Sequence, residues 1–158
     1  MFIDRKDAGN KLALKLAKFK DNDNMLILAV PRGGIVIAYE TIKKFKFKWD
    51  LIIPRKIGSP QNEEVAIGAV TSDGTYLLNN EYVDILSLSQ EYIEKKVYEQ
   101  TNEIKRRLIK YKGNEKFPQV KDKIVVIIDD GIATGFTILA AIKSIKKHGV
   151  KKIILAIQ

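Results

Sequence analysis

The sequence predicts an α/β fold, an open and mainly parallel twisted sheet flanked by helices, with a β-hairpin and a flexible lid as an insertion. The runs Met25–Val30, Lys123–Ile128 and Lys152–Ile157 are apolar with little polar alternation, which is typical of strands buried on both faces. Helical patterns separate apolar runs at the spacing of βαβ units, whose strands are parallel. At 158 residues, we expect one domain, 1–158.

The first βαβ unit follows an N-terminal helix. Asp4–Phe19 carries apolar residues at helical spacing, and the turn-forming residues after it end that helix. Met25–Val30 is the first buried strand, and it leads into a loop with two consecutive glycines. A helix is predicted over Ile35–Lys46, and Leu51–Pro54 is the second strand, parallel to the first.

The middle of the chain is predicted to hold the hairpin and a long helix. Arg55–Asn62 is polar and is expected to be irregular. The segments Val65–Val70 and Thr75–Leu78 flank Thr71–Gly74, in which the Asp-Gly pair is typical of a hairpin turn. A long amphipathic helix is expected over Ser89–Tyr111, beginning at a serine cap.

The last third repeats the order of strand, helix and strand. Lys123–Ile128 precedes a loop, and the following helix has isoleucines at helical spacing up to Gly149, a C-terminal cap. Lys152–Ile157 closes the second unit. In open α/β sheets, ligands bind outside the carboxyl ends of the strands. The loops Pro31–Gly34 and Asp129–Thr137 are therefore the expected binding site.

Composition argues against several kinds of function. The chain has no cysteine and one histidine, His148, so disulfides, thiolate chemistry and a protein-held metal site are not expected. Only five of its 28 basic residues are arginines, so the net charge of +9 does not favour a nucleic-acid partner. No apolar run reaches the ~18 residues that span a bilayer, and the charged start is unlike a signal peptide. We expect a cytoplasmic protein with no membrane partner. Trp49 is expected in the core or against a helix.

The second loop has the chemistry of a ribose phosphate site. Asp129 and Asp130 leave the strand end as adjacent carboxylates, which accept hydrogen bonds strongly from vicinal hydroxyls. The following Ala133–Thr137 offers consecutive backbone N–H groups and two hydroxyls at a helix start, which suits a phosphate. A plainer alternative is that the aspartates and Gly135 only shape the turn, and that Thr134 and Thr137 only cap the helix.

At these residues the sequence resembles a family. The run Val125–Thr137 is similar to the phosphoribosyl-pyrophosphate (PRPP) binding motif of type I phosphoribosyltransferases, and Val30–Gly34 resembles their pyrophosphate loop. The stretches Arg55–Pro60 and Glu63–Val70 resemble a predicted prokaryotic subgroup of that family. The resemblance covers nearly the whole chain. Relatives of this subgroup usually extend beyond the end of this sequence, in a tail that helps to cover the base site.

The resemblance implies a role for each segment. Arg32, Gly33 and Gly34 would hold pyrophosphate, with a peptide bond in this loop often cis in relatives. Asp129 and Asp130 would bind ribose, and the 5-phosphate would lie on Ala133, Thr134, Gly135, Phe136 and Thr137. Mg²⁺ would be held mainly by PRPP. The family carries a mobile lid at Lys56–Ala66. Arg55 and Lys56 would meet the leaving pyrophosphate, unless they are ordinary exposed cations.

The sequence departs from the family at two positions and leaves three functions open. Ala133 stands where hypoxanthine-guanine enzymes carry an aspartate, so their acid–base argument does not transfer. Phe136 replaces a small residue and must point away from the phosphate.

The leading hypothesis is phosphoribosyl transfer from PRPP to a nucleobase-like nitrogen acceptor, with a homodimer suggested by the family. A PRPP- or nucleotide-binding regulator without transferase activity is the alternative. A basic nucleic-acid binder is third.

Overall fold

The structure is a computed structural model that describes residues 2–157. In it the chain forms two compact units. The first unit contains Met1–Ile52, Pro118–Ala133 and Lys147–Gln158, and the second contains Ile53–Phe117 and Thr134–Lys146. Within the described residues the strands are β1 (Met25–Ala29), β2 (Lys48–Leu51), β3 (Arg55–Gly58), β4 (Ala66–Val70), β5 (Tyr76–Leu78), β6 (Ile124–Asp129) and β7 (Lys152–Ile157). The α-helices are α1 (Arg5–Leu16), α2 (Gly33–Phe45), α3 (Asn80–Ile85), α4 (Gln90–Lys112) and α5 (Phe136–Lys147), and a 3₁₀ turn at Ala17–Phe19 extends α1.

The first unit is built on a four-stranded, all-parallel sheet in the order β2-β1-β6-β7. All five residues of β1 and five of the six in β6 are buried, as their uninterrupted apolar sequences predict. The α/β fold with a parallel sheet and flanking helices is therefore confirmed.

The strand order reverses between β1 and β6. After β1 and α2 the chain returns to the sheet as β2, which pairs with the outer side of β1, and after β6 and α5 it returns as β7, which pairs with the outer side of β6. Such a reversal leaves a crevice at the carboxyl ends of the two central strands, because their outgoing connections diverge. Both predicted binding loops begin at these two strand ends.

Close packing of α1 against α2 depends on Gly9. The Asp4 carboxylate caps α1 by accepting from the Asp7 N–H at 2.8 Å. A β-carbon at Gly9 would lie 2.5 Å from the carbonyl oxygen of Ile37, and the Thr41 hydroxyl donates to the Gly9 carbonyl at 3.4 Å. The backbones of the two helices therefore approach more closely than any larger residue allows.

The second unit contains a three-stranded antiparallel sheet, β3-β4-β5, with the predicted hairpin between β4 and β5. Asp73 organises the turn by accepting from the Thr71 hydroxyl at 2.7 Å and from the Thr75 N–H at 3.0 Å. Burial opposes ionisation of Asp73, but these hydrogen bonds outweigh it and hold the pKa of the carboxyl well below its usual range.

The structure corrects the predicted bounds of several elements. The second strand of the sheet is Lys48–Leu51 rather than Leu51–Pro54, because Pro54 has no N–H for a ladder. The supposedly irregular Arg55–Asn62 begins with β3, whose register with β4 shifts at Gly58. Helix α3, capped by Asn79, was missed because it is only six residues long.

Two positions differ in exposure from the expectation. The apolar sequence of β7 suggested a strand covered on both faces, but β7 is the sheet's edge strand and none of its residues is fully buried. Trp49 is 52% exposed on the opposite edge strand, so its assignment to the core or to a helix face was wrong.

His148 is exposed just after α5, as expected. No helix in the described part of the chain has the length and apolar content needed to cross a bilayer.

We predict that Gly9→Ala destabilises the fold, although alanine is favoured over glycine in helices by about 1 kcal/mol. The added methyl group would meet the Ile37 carbonyl oxygen, and forcing α1 and α2 apart should cost about 1–3 kcal/mol of unfolding free energy. Urea denaturation measures the change. Asn10→Ala, on the exposed side of the same helix, is the matched control and should be neutral or stabilising. A Gly9→Ala variant as stable as the control would contradict the packing argument.

Candidate functional site

The site in the first unit begins where β1 and β6 end side by side. Ala29 is in register with Ile128, and the Val30 N–H donates to the Ile128 carbonyl oxygen at 2.9 Å. This bond continues the ladder beyond β1. The segments that follow, Pro31–Gly34 and Asp129–Ala133, therefore leave the sheet at neighbouring points.

The loop after β1 presents a helix N-terminus with open donors. The Pro31–Arg32 peptide bond is cis, and α2 begins at Gly33, two residues earlier than predicted. Arg32 occupies the N-cap position without capping through its side chain, and the first turn has no acidic residue. First-turn N–H groups have no partner within a helix, so this end attracts anions. Arg32 itself is exposed.

Gly33 and Gly34 permit the close approach of this loop to the end of β6. A β-carbon at Gly33 would collide with the carboxylate of Asp130, and one at Gly34 would collide with the carbonyl oxygen of Ile128. Neither glycine has a positive φ, and each leaves free a space that a β-carbon would enter. The neighbour is a side chain at Gly33 and backbone at Gly34. The structure brings the predicted pyrophosphate loop into contact with a predicted ribose-binding aspartate.

The two aspartates at the end of β6 have different surroundings. Asp129 is buried, and its Oδ1 accepts from the Asp130 N–H at 2.8 Å. Burial raises the pKa of Asp129, and the neighbouring Asp130 carboxyl adds to that rise, against the opposing effect of backbone N–H groups. The Asp130 side chain is 30% exposed. Of the two, Asp130 is the more accessible acceptor.

Asp130 has a partner that sequence analysis did not identify. The Nε and Nη2 groups of Arg5 donate to its Oδ2 at 3.0 and 2.6 Å. Arg5 is in the first turn of α1, 125 residues away in sequence. No local pattern could indicate this pair, because it depends on how α1 packs in the first unit.

The chain after Asp130 forms an exposed loop that ends in α5. Residues 131–134 are exposed, Gly135 has φ +83°, and α5 begins at Phe136. Gly135 therefore holds the N-cap position, so neither Thr134 nor Thr137 stands where a capping hydroxyl belongs. The first turn of α5 has no acidic residue. Phe136 and Thr137 are half-buried.

Arg55 and Lys56 lie in the second unit, on β3 rather than in a loop. The Arg55 Nε donates to Gln100 Oε1 at 2.6 Å. Burial and the nearby charge of Arg107 lower the pKa of the Arg55 guanidinium below its usual value. Lys56 Nζ is 3.4 Å from Glu64 Oε2. Their catalytic role remains a prediction.

The predicted lid is tied to its own unit by hydrogen bonds. The Ser59 hydroxyl donates to the Asn62 carbonyl at 2.9 Å, closing a turn. From α4, the Tyr92 hydroxyl donates to the Gly58 carbonyl at 2.9 Å, and Lys96 pairs with Glu63 at 3.3 Å. Residues 60–65 of the predicted lid are exposed, whereas Ile57, Ser59 and Ala66 are buried, so the mobility of Lys56–Ala66 remains a prediction.

Comparison with known proteins identifies the family. The profile of the phosphoribosyl transferase domain matches residues 3–157. The chain belongs to this family. Two Mycobacterium tuberculosis proteins that are provisionally named phosphoribosyl transferases are 36% identical to it over 158 residues. The alignment covers 99% of this phosphoribosyl transferase domain and 35% of each relative, so the chain spans about a third of their length.

Solved structures share the fold. The crystal structure of the protein TT1426 from Thermus thermophilus is 32% identical, with a TM-score of 0.76, covering 99% of this chain and 74% of that one. A purine phosphoribosyltransferase from Pyrococcus horikoshii is 22% identical, with a TM-score of 0.55 over 95% of this chain and 69% of its own. A hypoxanthine phosphoribosyltransferase from Staphylococcus aureus, 11% identical, has a TM-score of 0.56 over 97% of this chain and 61% of its own.

We predict that the two loop glycines fail in different ways when changed to alanine. In Gly33→Ala the Asp130 side chain can rotate away, so the melting temperature should change little while PRPP affinity falls at least about tenfold. In Gly34→Ala the collision is with backbone, which cannot rotate away, so the unfolding free energy should fall by about 1–3 kcal/mol. Thermal melts and calorimetric titration separate the two. Equal loss of stability in both variants would contradict this account.

Proposed function

We propose that this domain transfers the phosphoribosyl group of PRPP to a nucleobase-like nitrogen acceptor and releases pyrophosphate in the presence of Mg²⁺. The observation that carries the proposal is the contact between Gly33 and Asp130, at the point where the strand order of the sheet reverses. An anion-binding helix start and a ribose-binding carboxylate meet there, as a sugar pyrophosphate requires.

Each part of PRPP has a proposed set of contacts. Asp129 and Asp130 accept hydrogen bonds from the ribose hydroxyls. The Arg32 guanidinium and the N–H groups of Gly33 and Gly34 bind the pyrophosphate at the start of α2. The 5-phosphate lies on Ala133, Thr134, Gly135, Phe136 and Thr137. This last assignment is supported by the exposure of residues 131–134 and by the first turn of α5, which has no acid to repel an anion.

The chain has oxygen ligands for Mg²⁺ but not a complete shell. Among residues 2–157, no three acidic or histidine side chains converge. The partly exposed carboxylate of Asp130 is a hard oxygen ligand, and PRPP itself supplies many more, so these residues fit an ion that arrives with the substrate. When bound, Mg²⁺ would neutralise charge on the pyrophosphate as it leaves.

In the proposed reaction, the residues of the site act mainly by stabilising the negative charge that develops on the leaving pyrophosphate. The bond between ribose C1 and the pyrophosphate oxygen breaks as the acceptor nitrogen bonds to C1, through an oxocarbenium-like transition state. Arg32 and the α2 amides stabilise the negative charge that gathers on pyrophosphate. The catalytic role of Arg55 and Lys56, on β3 of the second unit, rests on the family resemblance alone. Ala133 has no titratable group, so it cannot move the acceptor's proton.

Other parts of the proposal rest on the family resemblance and the composition. The class of acceptor, the assembly as a homodimer and the role in nucleotide metabolism are proposed from the family resemblance. The cytoplasmic location is proposed from the composition. The excess of lysine over arginine still disfavours nucleic acid.

Calorimetric titration with PRPP and Mg²⁺, followed by pyrophosphate release across a panel of nucleobases, tests the proposal. Saturable PRPP binding and base-dependent pyrophosphate release are expected. Binding without turnover on any base would favour a PRPP-binding regulator instead. Salt-sensitive binding of RNA or DNA, with no PRPP binding, would favour a nucleic-acid binder.

We predict that Asp129→Asn and Asp130→Asn each weaken PRPP binding about 10- to 150-fold. The warrant is that a hydrogen bond to a charged group contributes roughly 1.5–3 kcal/mol. Calorimetry gives the affinities, and circular dichroism checks that the fold persists. Asp50→Asn, on the edge strand β2 of the same sheet, is the control and should keep its PRPP affinity. Unchanged affinity in both aspartate variants would remove the ribose assignment.

Alanine substitution of Thr134 and Thr137 tests the 5-phosphate assignment. Because Gly135 holds the N-cap position of α5, loss of either hydroxyl should leave the melting temperature nearly unchanged. The affinities for PRPP and for inorganic phosphate should both fall, by about 3- to 10-fold per variant. Thr75→Ser keeps a hydroxyl in the β4–β5 turn and serves as the control. Early melting of Thr137→Ala with normal PRPP binding would show that this threonine stabilises the helix instead.

A further inference from the structure

We propose that Arg5 is a positioning residue that orients the carboxylate of Asp130 for recognition of the ribose hydroxyls. This inference rests on the proposed function, because it assigns Arg5 to the same site. Arg5 acts through Asp130 rather than on the reacting atoms.

Two contacts hold the carboxylate of Asp130, and both involve Oδ2. Arg5 donates to this oxygen through Nε and Nη2, at 3.0 and 2.6 Å. The same oxygen is the carboxylate atom nearest to the place where a β-carbon at Gly33 would lie. Rotation of the carboxylate is therefore restricted, and Arg5 leaves Oδ1 to accept from a ligand hydroxyl.

Arg5 is itself held in place by the packing of α1. The Asp4 cap begins the helix one residue before Arg5, and Gly9 lets the same helix pack closely onto α2 near Ile37. Helix α2 also carries the Arg32–Gly34 loop at its start. One packed pair of helices thus positions both the proposed pyrophosphate donors and the cation that orients the ribose carboxylate.

A purely structural role is the competing explanation. The Arg5 side chain is 55% exposed and that of Asp130 is 30% exposed. Ion pairs with this much solvent contribute little to folding stability. A pair of N–H groups from one planar guanidinium does, however, fix the direction of the oxygen that accepts them, which a lysine ammonium does less well. Orientation therefore fits these groups better than stabilisation.

The test compares Arg5→Gln, Arg5→Lys and the control Lys6→Gln, which removes an exposed charge from the next position of α1. Affinities for PRPP, ribose 5-phosphate and pyrophosphate are measured separately in the full chain, together with KM, kcat and the melting temperature. Arg5→Gln should weaken PRPP and ribose 5-phosphate about fivefold to tenfold and leave pyrophosphate within twofold. KM for PRPP should rise more than kcat falls. Arg5→Lys should recover part of the loss, and Lys6→Gln should show none.

A double-mutant cycle with Asp130→Asn decides whether Arg5 acts through that carboxylate. In the Asp130→Asn background, Arg5→Gln should cause no further loss of ribose 5-phosphate affinity. An equal, additive loss in that background would overturn the inference, and so would a lower melting temperature with unchanged affinities. If the parent chain binds PRPP and Arg5→Gln binds it equally well, only this inference fails. If the parent binds neither PRPP nor ribose 5-phosphate, the proposed function fails with it.

Discussion

The parallel pairing of β1 with β6 is the constraint on which the candidate site depends. The two strands are in register from Met25 and Ile124 to Ala29 and Ile128, so they end together at one edge of the sheet. Their sequences are apolar because both strands are covered on both faces, and this burial makes a slip in register costly. The positions of the Arg32–Gly34 turn and of Asp129 and Asp130 follow from it.

The site combines a close approach of two backbone segments with the repulsion between two neighbouring carboxylates. Gly34 lets α2 start directly against the Ile128 carbonyl, and Gly33 leaves room for the Asp130 carboxylate. Two adjacent acids at a strand end repel each other, and burial makes the charge on Asp129 still less favourable. The Arg5 guanidinium offsets this repulsion at Asp130. An arginine far away in sequence is therefore part of the local electrostatics of the motif.

Hydrogen bonds close in sequence shape two turns of the second unit. Asp73 closes the β4–β5 turn through Thr71 and Thr75, and Ser59 closes the turn before β4 through Asn62. Thr71, Thr75 and Ser59 are buried, so both turns are anchored in the packed part of the unit. Residues 60–65, in the middle of the predicted lid, are exposed, which suits a segment whose proposed task is to move when a substrate binds.

The sequence by itself determined the elements whose evidence is local. Apolar runs predicted β1 and β6, an Asp-Gly turn predicted the β4–β5 hairpin, and the motif at Asp129–Thr137 indicated the family. The sequence analysis misplaced β2 and missed α3, because the ends of a short strand and a six-residue helix produce only a weak pattern of apolar residues. Only the tertiary structure decided that β1 lies beside β6, that Gly33 touches Asp130, and that Arg5 is the partner of Asp130. These contacts join residues about a hundred or more positions apart, and their energies depend on packing that no local periodicity records.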